Sequence, residues 1–121
     1  MDDSVKEWIK EAEDNMVTAR ILNQNERYKD SAYYCHQVVE KTLKAVQIKE
    51  LRRFDMVHDL VKLAKSVNAP KDIVVDCEKL TKYYIPARYP VSKRIVLGEK
   101  DSENGIKIAE EVIEWAMSIL K

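Results

Sequence analysis

Residues 30–48 read DSAYYCHQVVEKTLKAVQI, and the spacing of their apolar side chains decides the fold class. These side chains recur at three- and four-residue steps, which places them on one side of an α-helix. They form two neighbouring stripes, with Ala32, Cys35, Val39, Leu43 and Val46 in the first and Tyr34, Val38, Ala45 and Ile48 in the second. A helix with two apolar stripes contacts several neighbours, so we expect the central helix of a bundle here, with Asp30 or Ser31 as its N-cap.

The remaining sequence predicts four more helices around the central one. Apolar residues recur at helical steps over residues 2–23, 56–67, 70–84 and 101–120. Pro86 and Pro90 predict that the fourth helix ends at Tyr84 and that a long loop covers residues 85–100. Because 121 residues include only two glycines and three prolines, the sequence favours long helices over a turn-rich β fold. We therefore expect an all-α fold with one domain over residues 1–121, a single antiparallel up-and-down bundle of about five helices, four long and one short.

Charge is balanced over the whole chain but uneven along it. The formal net charge is zero, which argues against a protein that binds nucleic acid by its overall charge. Residues 2–14 carry six acidic and two basic side chains, whereas residues 82–100 carry five basic side chains against Glu99 alone. A basic segment on a neutral protein suits an anionic ligand.

The composition also indicates the compartment and excludes several kinds of site. Cys35 and Cys77 lie within helical apolar patterns, so we expect buried thiols in a reducing, cytoplasmic location. The charged N-terminus argues against a secretory leader, and no apolar run approaches the roughly 20 residues of a membrane helix. The two histidines and two cysteines lack metal-ligand spacing, and there is no glycine-rich phosphate loop. We expect no metal, no cofactor and no membrane contact.

Two polar clusters lie on the predicted helices. His36, Glu40 and Lys44 stand four residues apart and form a polar line on one face of the central helix. On spacing alone, a solvated ladder of ion pairs is the simplest interpretation of that line. His58 and Asp59 open the third helix, where we expect Asp59 in the first turn and where a capping or packing histidine is the simpler interpretation.

A third cluster is the stretch YYIPARYP at residues 83–90, in which prolines and tyrosines frame one arginine. Packing explains such an arginine poorly. The two prolines would hold Arg88 at low entropic cost, its guanidinium can donate two hydrogen bonds to a phosphate, and Tyr89 can stack on a base. The cluster therefore suits a nucleotide or RNA ligand.

Three elements together resemble the HEPN family in their order and spacing, over nearly the whole chain: HQVVEKTLKA at residues 36–45, the later HDL at residues 58–60, and ARYP at residues 87–90. The resemblance implies a bundle of mainly antiparallel helices that forms a homodimer. It also implies a toxin–antitoxin-like pair with a small nucleotidyltransferase as the partner. Many HEPN proteins are metal-independent RNases, in which the arginine and histidine of an Arg-x(4–6)-His motif meet across the dimer, whereas others bind nucleotides or lack catalysis.

Three functions are open on these residues and on the resemblance. The first is a nucleotide-binding or nucleotidyltransferase-partner module with one shared groove, whose ligand residues would be His36, Lys44, His58, Asp59, Arg88 and Tyr89. The second is a metal-independent endoribonuclease, in which His58 acts as general acid or base and Arg53 stabilises the charge on phosphorus. The third is a structural dimerisation module without a ligand site.

Of these functions, we expect the binding role rather than catalysis. Arg53 and His58 fit the Arg-x4-His string but lie before the third helix, in a connection expected to be mobile, rather than near the final helices where active relatives carry the motif. A histidine in the first helical turn would also feel the positive end of the helix, which disfavours the imidazolium that a general acid needs. We therefore expect RNA cleavage by the protein alone to be weak or absent.

Overall fold

The computed structural model describes the backbone of residues 1–88 and 96–121 and the side chains of residues 1–84 and 96–121. These residues form five helices and no strand. The helices are α1 (Asp3–Gln24), α2 (Tyr28–Leu51), α3 (Leu60–Ser66), α4 (Lys71–Arg88) and α5 (Glu99–Leu120). The predicted all-α fold, with four long helices and one short one, is confirmed.

The helix α2 is the centre of the bundle, because it contacts each of the other four helices. Its contacts with α1 show that these two helices run antiparallel. The hydroxyl of Ser31, near the start of α2, donates to the carbonyl of Ala19, near the end of α1. The ammonium of Lys44, near the end of α2, lies over the ring of Trp8, near the start of α1. The central position predicted from the two apolar stripes is confirmed.

The core consists of aliphatic side chains at the helical spacing that the sequence shows. The inward face of α1 is buried at Val5, Ile9, Ala12, Met16 and Ala19, as its three- and four-residue steps predict. Fully burying a valine, leucine or methionine side chain contributes roughly 1.5–3 kcal/mol, so this face holds α1 on the bundle. No helix among the described residues is both long enough and apolar enough to cross a bilayer.

The helix α5 packs tightly on α2 at Gly105. A Cβ atom at this glycine would lie 3.3 Å from both Cβ and Sγ of Cys35. A glycine inside a helix usually weakens it, but here the missing side chain lets the two helices approach closely. Gly105 is therefore an interior residue of α5 and not its start.

The start of α2 differs from the prediction that Asp30 or Ser31 caps it. The helix begins at Tyr28, and the side chain of its N-cap residue, Arg27, makes no capping hydrogen bond. The carboxylate of Asp30 instead accepts hydrogen bonds from the Arg27 guanidinium at 2.8 and 3.1 Å. The hydroxyl of Ser31 donates to a carbonyl of α1. Both expected capping side chains are used for other contacts.

The fourth helix also differs from the prediction, because it continues to Arg88 rather than ending at Tyr84. Proline removes one helical hydrogen bond, but its fixed φ is itself helical, so Pro86 near a helix end does not have to stop the helix. The predicted loop over residues 85–100 is wrong at both ends, since residues 85–88 belong to α4 and residues 99–100 to α5. Residues 89–95 lie outside the described residues.

The helices α3 and α5 begin at other residues than predicted. Asp59 is the N-cap of α3, and its carboxylate accepts a hydrogen bond from the Lys62 backbone N–H at 3.1 Å. It therefore precedes the first turn rather than lying in it. Gly98 is the N-cap of α5, and the carboxylate of Asp101 accepts from its N–H at 2.9 Å. Ser102, in the first turn of α5, is buried and donates to the side chain of Asn23.

Candidate functional site

The carboxylate of Glu40 is the centre of a polar cluster on α2. Only 6% of the residue is exposed. The ammonium of Lys44 donates to Oε2 at 2.9 Å, and Nδ1 of His58 lies 3.0 Å from both carboxylate oxygens. On the other side, Nδ1 of His36 lies 3.9 Å from Oε1. The cluster joins three residues of α2 to one residue from the connection before α3.

The polar line on α2 is buried, so the interpretation as a solvated ladder of ion pairs is wrong. His36 is 1% exposed and Lys44 is 5% exposed. Because α2 is the central helix, the neighbouring elements cover this face as well as its apolar stripes. Burial places both side chains beside Glu40, and their predicted contact with a ligand stays a prediction.

His58 is the exposed member of the cluster, with 70% of its side chain accessible. A carboxylate only accepts hydrogen bonds, so Nδ1 of His58 carries the proton shared with Glu40. The other ring nitrogen, Nε2, lies on the opposite edge of the imidazole and is directed away from the buried carboxylate. A histidine fixed through one nitrogen presents the other in a defined tautomer and orientation.

The position of His58 also changes the helix-dipole argument against catalysis. The residue precedes Asp59, the N-cap of α3, and does not lie in the first turn as predicted. Its nearest charged group is the Glu40 carboxylate. His58 still lies at the N-terminal end of α3, so the predicted effect of the helix end on the imidazole stays a prediction.

The connection between α2 and α3 is fixed by polar contacts around Asp55. The Gln47 side chain is fully buried, and its amide nitrogen donates to Asp55 Oδ2 at 2.9 Å and to Ser66 Oγ at 2.9 Å. Its amide oxygen accepts from the Asp55 backbone N–H at 2.9 Å. With the His58–Glu40 contact, α2 holds this segment at two points, and the expected mobility of the connection stays a prediction.

Arg53 lies on the same fixed connection as His58. Its guanidinium Nε is 3.8 Å from Asp55 Oδ1, and 58% of its side chain is exposed. Neither the arginine nor the exposed edge of His58 is covered by the bundle. Both residues of the Arg-x4-His string are therefore accessible to a ligand in solution.

Aromatic side chains bring the end of α4 to the same face of α2. The ring centroid of Tyr84 lies 4.1 Å from that of His36, and Tyr84 stacks on Tyr33 at 6.3 Å. Arg88 follows one helical turn after Tyr84 in α4. The side chain of Arg88 and the whole of Tyr89 lie outside the described residues, so their place in a shared groove stays a prediction.

A second feature, absent from the sequence predictions, is a groove of about 800 Å³ beside α1. We call it the Trp8 groove; it is lined by Glu7, Trp8, Lys10, Glu11, Asp14, Lys41 and Phe54. The Trp8 and Phe54 rings pack edge to face at 5.0 Å, and Phe54 is 40% exposed. The exposed Phe54 in a short polar connection was the one sequence signal for this groove.

Metal binding is not indicated among the residues whose side chains the structure describes, because no group of three or more His, Cys, Asp or Glu side chains could hold an ion. The polar cluster around Glu40 contains three cationic or potentially cationic partners, His36, Lys44 and His58. The exposed member of the cluster is the His58 imidazole, which the Glu40 carboxylate orients.

A family model, a protein relative and two crystal structures match this chain over nearly its whole length. The family model described as "HEPN domain" matches residues 5–120. A protein of Methanocaldococcus jannaschii, named "Putative toxin MJ1304", is 29% identical, with 96% of this chain and 88% of that protein covered. The crystal structure of ST0689, described as an archaeal HEPN homologue, matches with a TM-score of 0.83 and 25% identity over 99% of this chain and 100% of that one. The crystal structure of TT1696 from Thermus thermophilus has the same fold, with a TM-score of 0.88 and 21% identity over 97% of this chain and 98% of that one.

Proposed function

Since this chain belongs to the HEPN domain family, we propose that it binds a phosphate group of a nucleotide or RNA through His58, as the HEPN component of a toxin–antitoxin-like pair. The observation that carries the proposal is the contact of His58 Nδ1 with both oxygens of the buried Glu40 carboxylate, at 3.0 Å. That contact leaves Nε2 of an exposed ring in a fixed orientation. In the doubly protonated ring, Nδ1–H donates to Glu40 and Nε2–H donates to the anion. A donor held in this way loses less side-chain entropy on binding than a mobile one.

The surroundings of His58 suit a phosphate. Arg53 lies on the same fixed connection, and a guanidinium can donate two parallel hydrogen bonds to phosphate oxygens. The negative charge of Glu40 is already compensated by Lys44 at 2.9 Å, so it does not repel an anion at full strength. Arg88 and Tyr89 remain the proposed contributors from the segment after α4, where the tyrosine would stack on a base.

The partners are proposed from the family and from the name of the relative. The relative in Methanocaldococcus jannaschii is named as a toxin, which supports a toxin–antitoxin-like setting. In that setting we propose a small nucleotidyltransferase as the partner and a homodimer of this chain that covers part of α2 or α5. Light scattering of the purified chain tests the dimer, and co-purification with the product of a neighbouring nucleotidyltransferase gene tests the partner.

Calorimetric titration with a mononucleotide and with a short single-stranded RNA tests the phosphate site. We expect His58→Gln and Arg53→Gln each to weaken binding by about tenfold or more, since each removes a charge-assisted hydrogen bond. The matched control is Arg27→Gln, which removes an exposed arginine at the start of α2, about 20 Å from Glu40 along the helix axis. No binding by the wild type, or equal losses in the control, would favour the structural dimerisation module instead.

The metal-independent RNase is the second candidate, favoured by the same carboxylate-oriented imidazole. In that reaction Nε2 of His58 takes the proton of the ribose 2′-hydroxyl, whose oxygen attacks phosphorus. The bond to the 5′-oxygen breaks, and the His58 imidazolium returns the proton to that oxygen, which leaves a 2′,3′-cyclic phosphate, a 5′-hydroxyl and the neutral imidazole. Arg53 would stabilise the charge on the phosphorane oxygens.

We expect RNA cleavage by this chain alone to be weak or absent, because Arg53 and His58 lie before α3, rather than near the final helices where active members of the family carry the motif. The assay incubates the protein with a mixed RNA pool in the presence of a chelator. Strong cleavage that His58→Gln and Arg53→Gln both abolish, and that Arg27→Gln leaves intact, would replace the binding role with the RNase.

A further inference from the structure

The Trp8 groove begins next to the proposed phosphate site at His58. Nδ1 of His58 lies 3.0 Å from Oε2 of Glu40, and the ammonium of Lys44 donates to the same oxygen at 2.9 Å. That ammonium also lies 5.8 Å from the centroid of the Trp8 ring. The three distances together are an upper limit for the separation between His58 Nδ1 and the Trp8 ring, so one small ligand can reach both places.

The connection between α2 and α3 joins the same two places. Arg53, a residue of the proposed phosphate site, is followed directly by Phe54 of the groove. Contacts between Gln47 and Asp55 hold this part of the connection on α2. The rings of Phe54 and Trp8 pack edge to face at 5.0 Å, and 40% of Phe54 stays exposed. An exposed aromatic ring is therefore fixed beside the arginine in the chain.

The other side chains that line the groove carry charges of both signs. Their carboxylates belong to Glu7, Glu11 and Asp14, and their ammonium groups to Lys10 and Lys41. Lys41 donates to Glu11 Oε2 at 3.3 Å, which pairs two of these charges within the groove. Such a lining selects neither an anion nor a cation. It suits an uncharged, flat group that stacks on a ring and presents both donors and acceptors at its edge.

We propose that the Trp8 groove holds the base of the nucleotide whose phosphate binds at His58, with the base stacked on Phe54. This inference rests on the proposed function, because it places a second part of the same ligand. Every base has a π face, so stacking on an aromatic side chain accepts any base. A groove of about 800 Å³ lies within the range of roughly 300–1,000 Å³ that small-molecule sites occupy.

The groove is separate from the aromatic side chains at the end of α4. Tyr84 packs on His36, one helical turn before Glu40 in α2, whereas the Trp8 ring lies near Lys44, one turn after Glu40. These two aromatic places therefore lie on opposite sides of Glu40 along α2. A base in the groove does not depend on the stacking proposed for the segment after α4.

Calorimetric titration tests the base subsite with adenosine 5′-monophosphate (AMP), ribose 5-phosphate and a short single-stranded RNA. The first two ligands share the phosphate and differ in the base. Phe54→Leu keeps an apolar side chain but removes the π face. We expect it to weaken AMP binding by about tenfold and to change the affinity for ribose 5-phosphate by less than about twofold. His58→Gln should weaken the binding of both ligands.

Two further variants are the controls. Phe54→Tyr keeps an aromatic ring and should bind AMP within about twofold of the wild type. Met56→Leu changes an apolar residue of the same connection that is 88% exposed and outside the groove lining, and it should leave the affinity for AMP unchanged.

The two tryptophans give a second measurement by NMR. The indole N–H of Trp8 should shift more with AMP than with ribose 5-phosphate, because only AMP places a ring in the groove. Trp115 lines a different groove, with Ile73 and Glu111, and its signal should change little. Shifts of equal size at Trp8 for the two ligands would place the base elsewhere.

The outcomes separate the base subsite from the phosphate site. Unchanged binding of both AMP and the RNA by Phe54→Leu would overturn the base subsite and leave the phosphate site in place, and so would an equal loss for ribose 5-phosphate. If none of the three ligands binds the wild type, the phosphate site and the base subsite fail together. A loss with the RNA alone would support the subsite and assign the base to an RNA residue, whereas a loss with AMP as well would extend it to free nucleotides.

Discussion

Replacing Glu40 with leucine tests whether its charge is what Lys44 needs in the interior. In the wild type, the carboxylate and the ammonium are 2.9 Å apart, and the two residues are 6% and 5% exposed. In Glu40→Leu the ammonium of Lys44 stays on the buried face of α2 without its counterion. Loss of one partner of a buried ion pair costs about 3–5 kcal/mol, because the remaining charge is still removed from water. That is a large part of a typical unfolding free energy of about 5–15 kcal/mol.

Removing the other partner, in Lys44→Met, should lower the free energy of unfolding by less than Glu40→Leu does. Glu40 then keeps Nδ1 of His58 at 3.0 Å, and that exposed imidazole can carry a compensating positive charge. We expect a loss of about 1–3 kcal/mol, the range for a buried polar group that loses one of its partners. The double variant Glu40→Leu/Lys44→Met removes both charges and replaces them with apolar side chains of similar size. The free energy of unfolding of this double variant should lie within about 1 kcal/mol of the wild-type value, since replacing a buried ion pair with apolar side chains is often neutral.

The measurement is urea denaturation of the wild type and the three variants, followed by circular dichroism at one protein concentration. The double-mutant cycle gives the coupling between Glu40 and Lys44 directly. A loss below about 1 kcal/mol for Glu40→Leu would refute the reasoning, as would a double variant whose loss equals the sum of the two single losses.

The seam between α4 and α5 and the two cysteines give three more tests. Burial and the neighbouring Glu111 carboxyl raise the pKa of Asp76 from 3.8 to about 6. The protonated Asp76 side chain therefore makes its full contribution to stability below pH 3.8, and this contribution is lost as the pH rises through about 6. Above pH 6, urea denaturation should therefore give Asp76→Asn a higher free energy of unfolding, relative to the wild type, than it has in acid. A variant that is more stable than the wild type only in acid would contradict this sign. Burial raises the pKa of the Cys35 and Cys77 thiols to about 12. Iodoacetamide should therefore modify these thiols only after the protein unfolds, which mass spectrometry measures. Rapid labelling of the native protein would contradict this prediction. Gly105→Val would place a branched side chain where a Cβ already lies 3.3 Å from Cys35, and it should lower the unfolding free energy by about 1–3 kcal/mol; an unchanged urea midpoint would mean that α5 can shift.

The helices could be predicted because helical periodicity is local. The stripes of α1 and α2 record which side chains face inward, and both helices formed close to the predicted ranges. The end of α4 could not be predicted in the same way. Pro86 lowers the helical preference of its neighbours, but the whole helix and its packing decide whether the chain continues to Arg88.

The candidate site was harder to predict from the sequence, because the burial of a residue depends on which other elements pack against it. Spacing showed that His36, Glu40 and Lys44 share one face of α2, but not that other elements cover this face. The contact between Glu40 and His58 joins residues 18 positions apart through a connection that Gln47 fixes. Neither the spacing of the histidine nor its residue type predicts such a non-local contact.

The cluster at Glu40 is better explained by what it positions than by the stability it gives. A buried carboxylate and ammonium on a central helix add little to stability compared with apolar side chains of the same volume. They do, however, hold the ring of His58, whose contact with Glu40 is lost when the carboxylate is removed. Glu40→Leu/Lys44→Met separates the two roles, since its fold should be as stable as the wild type while His58 is no longer oriented. If the cluster serves a phosphate site, that variant should bind a mononucleotide about as weakly as His58→Gln; wild-type affinity in a stable double variant would mean that the contact with Glu40 has no part in binding.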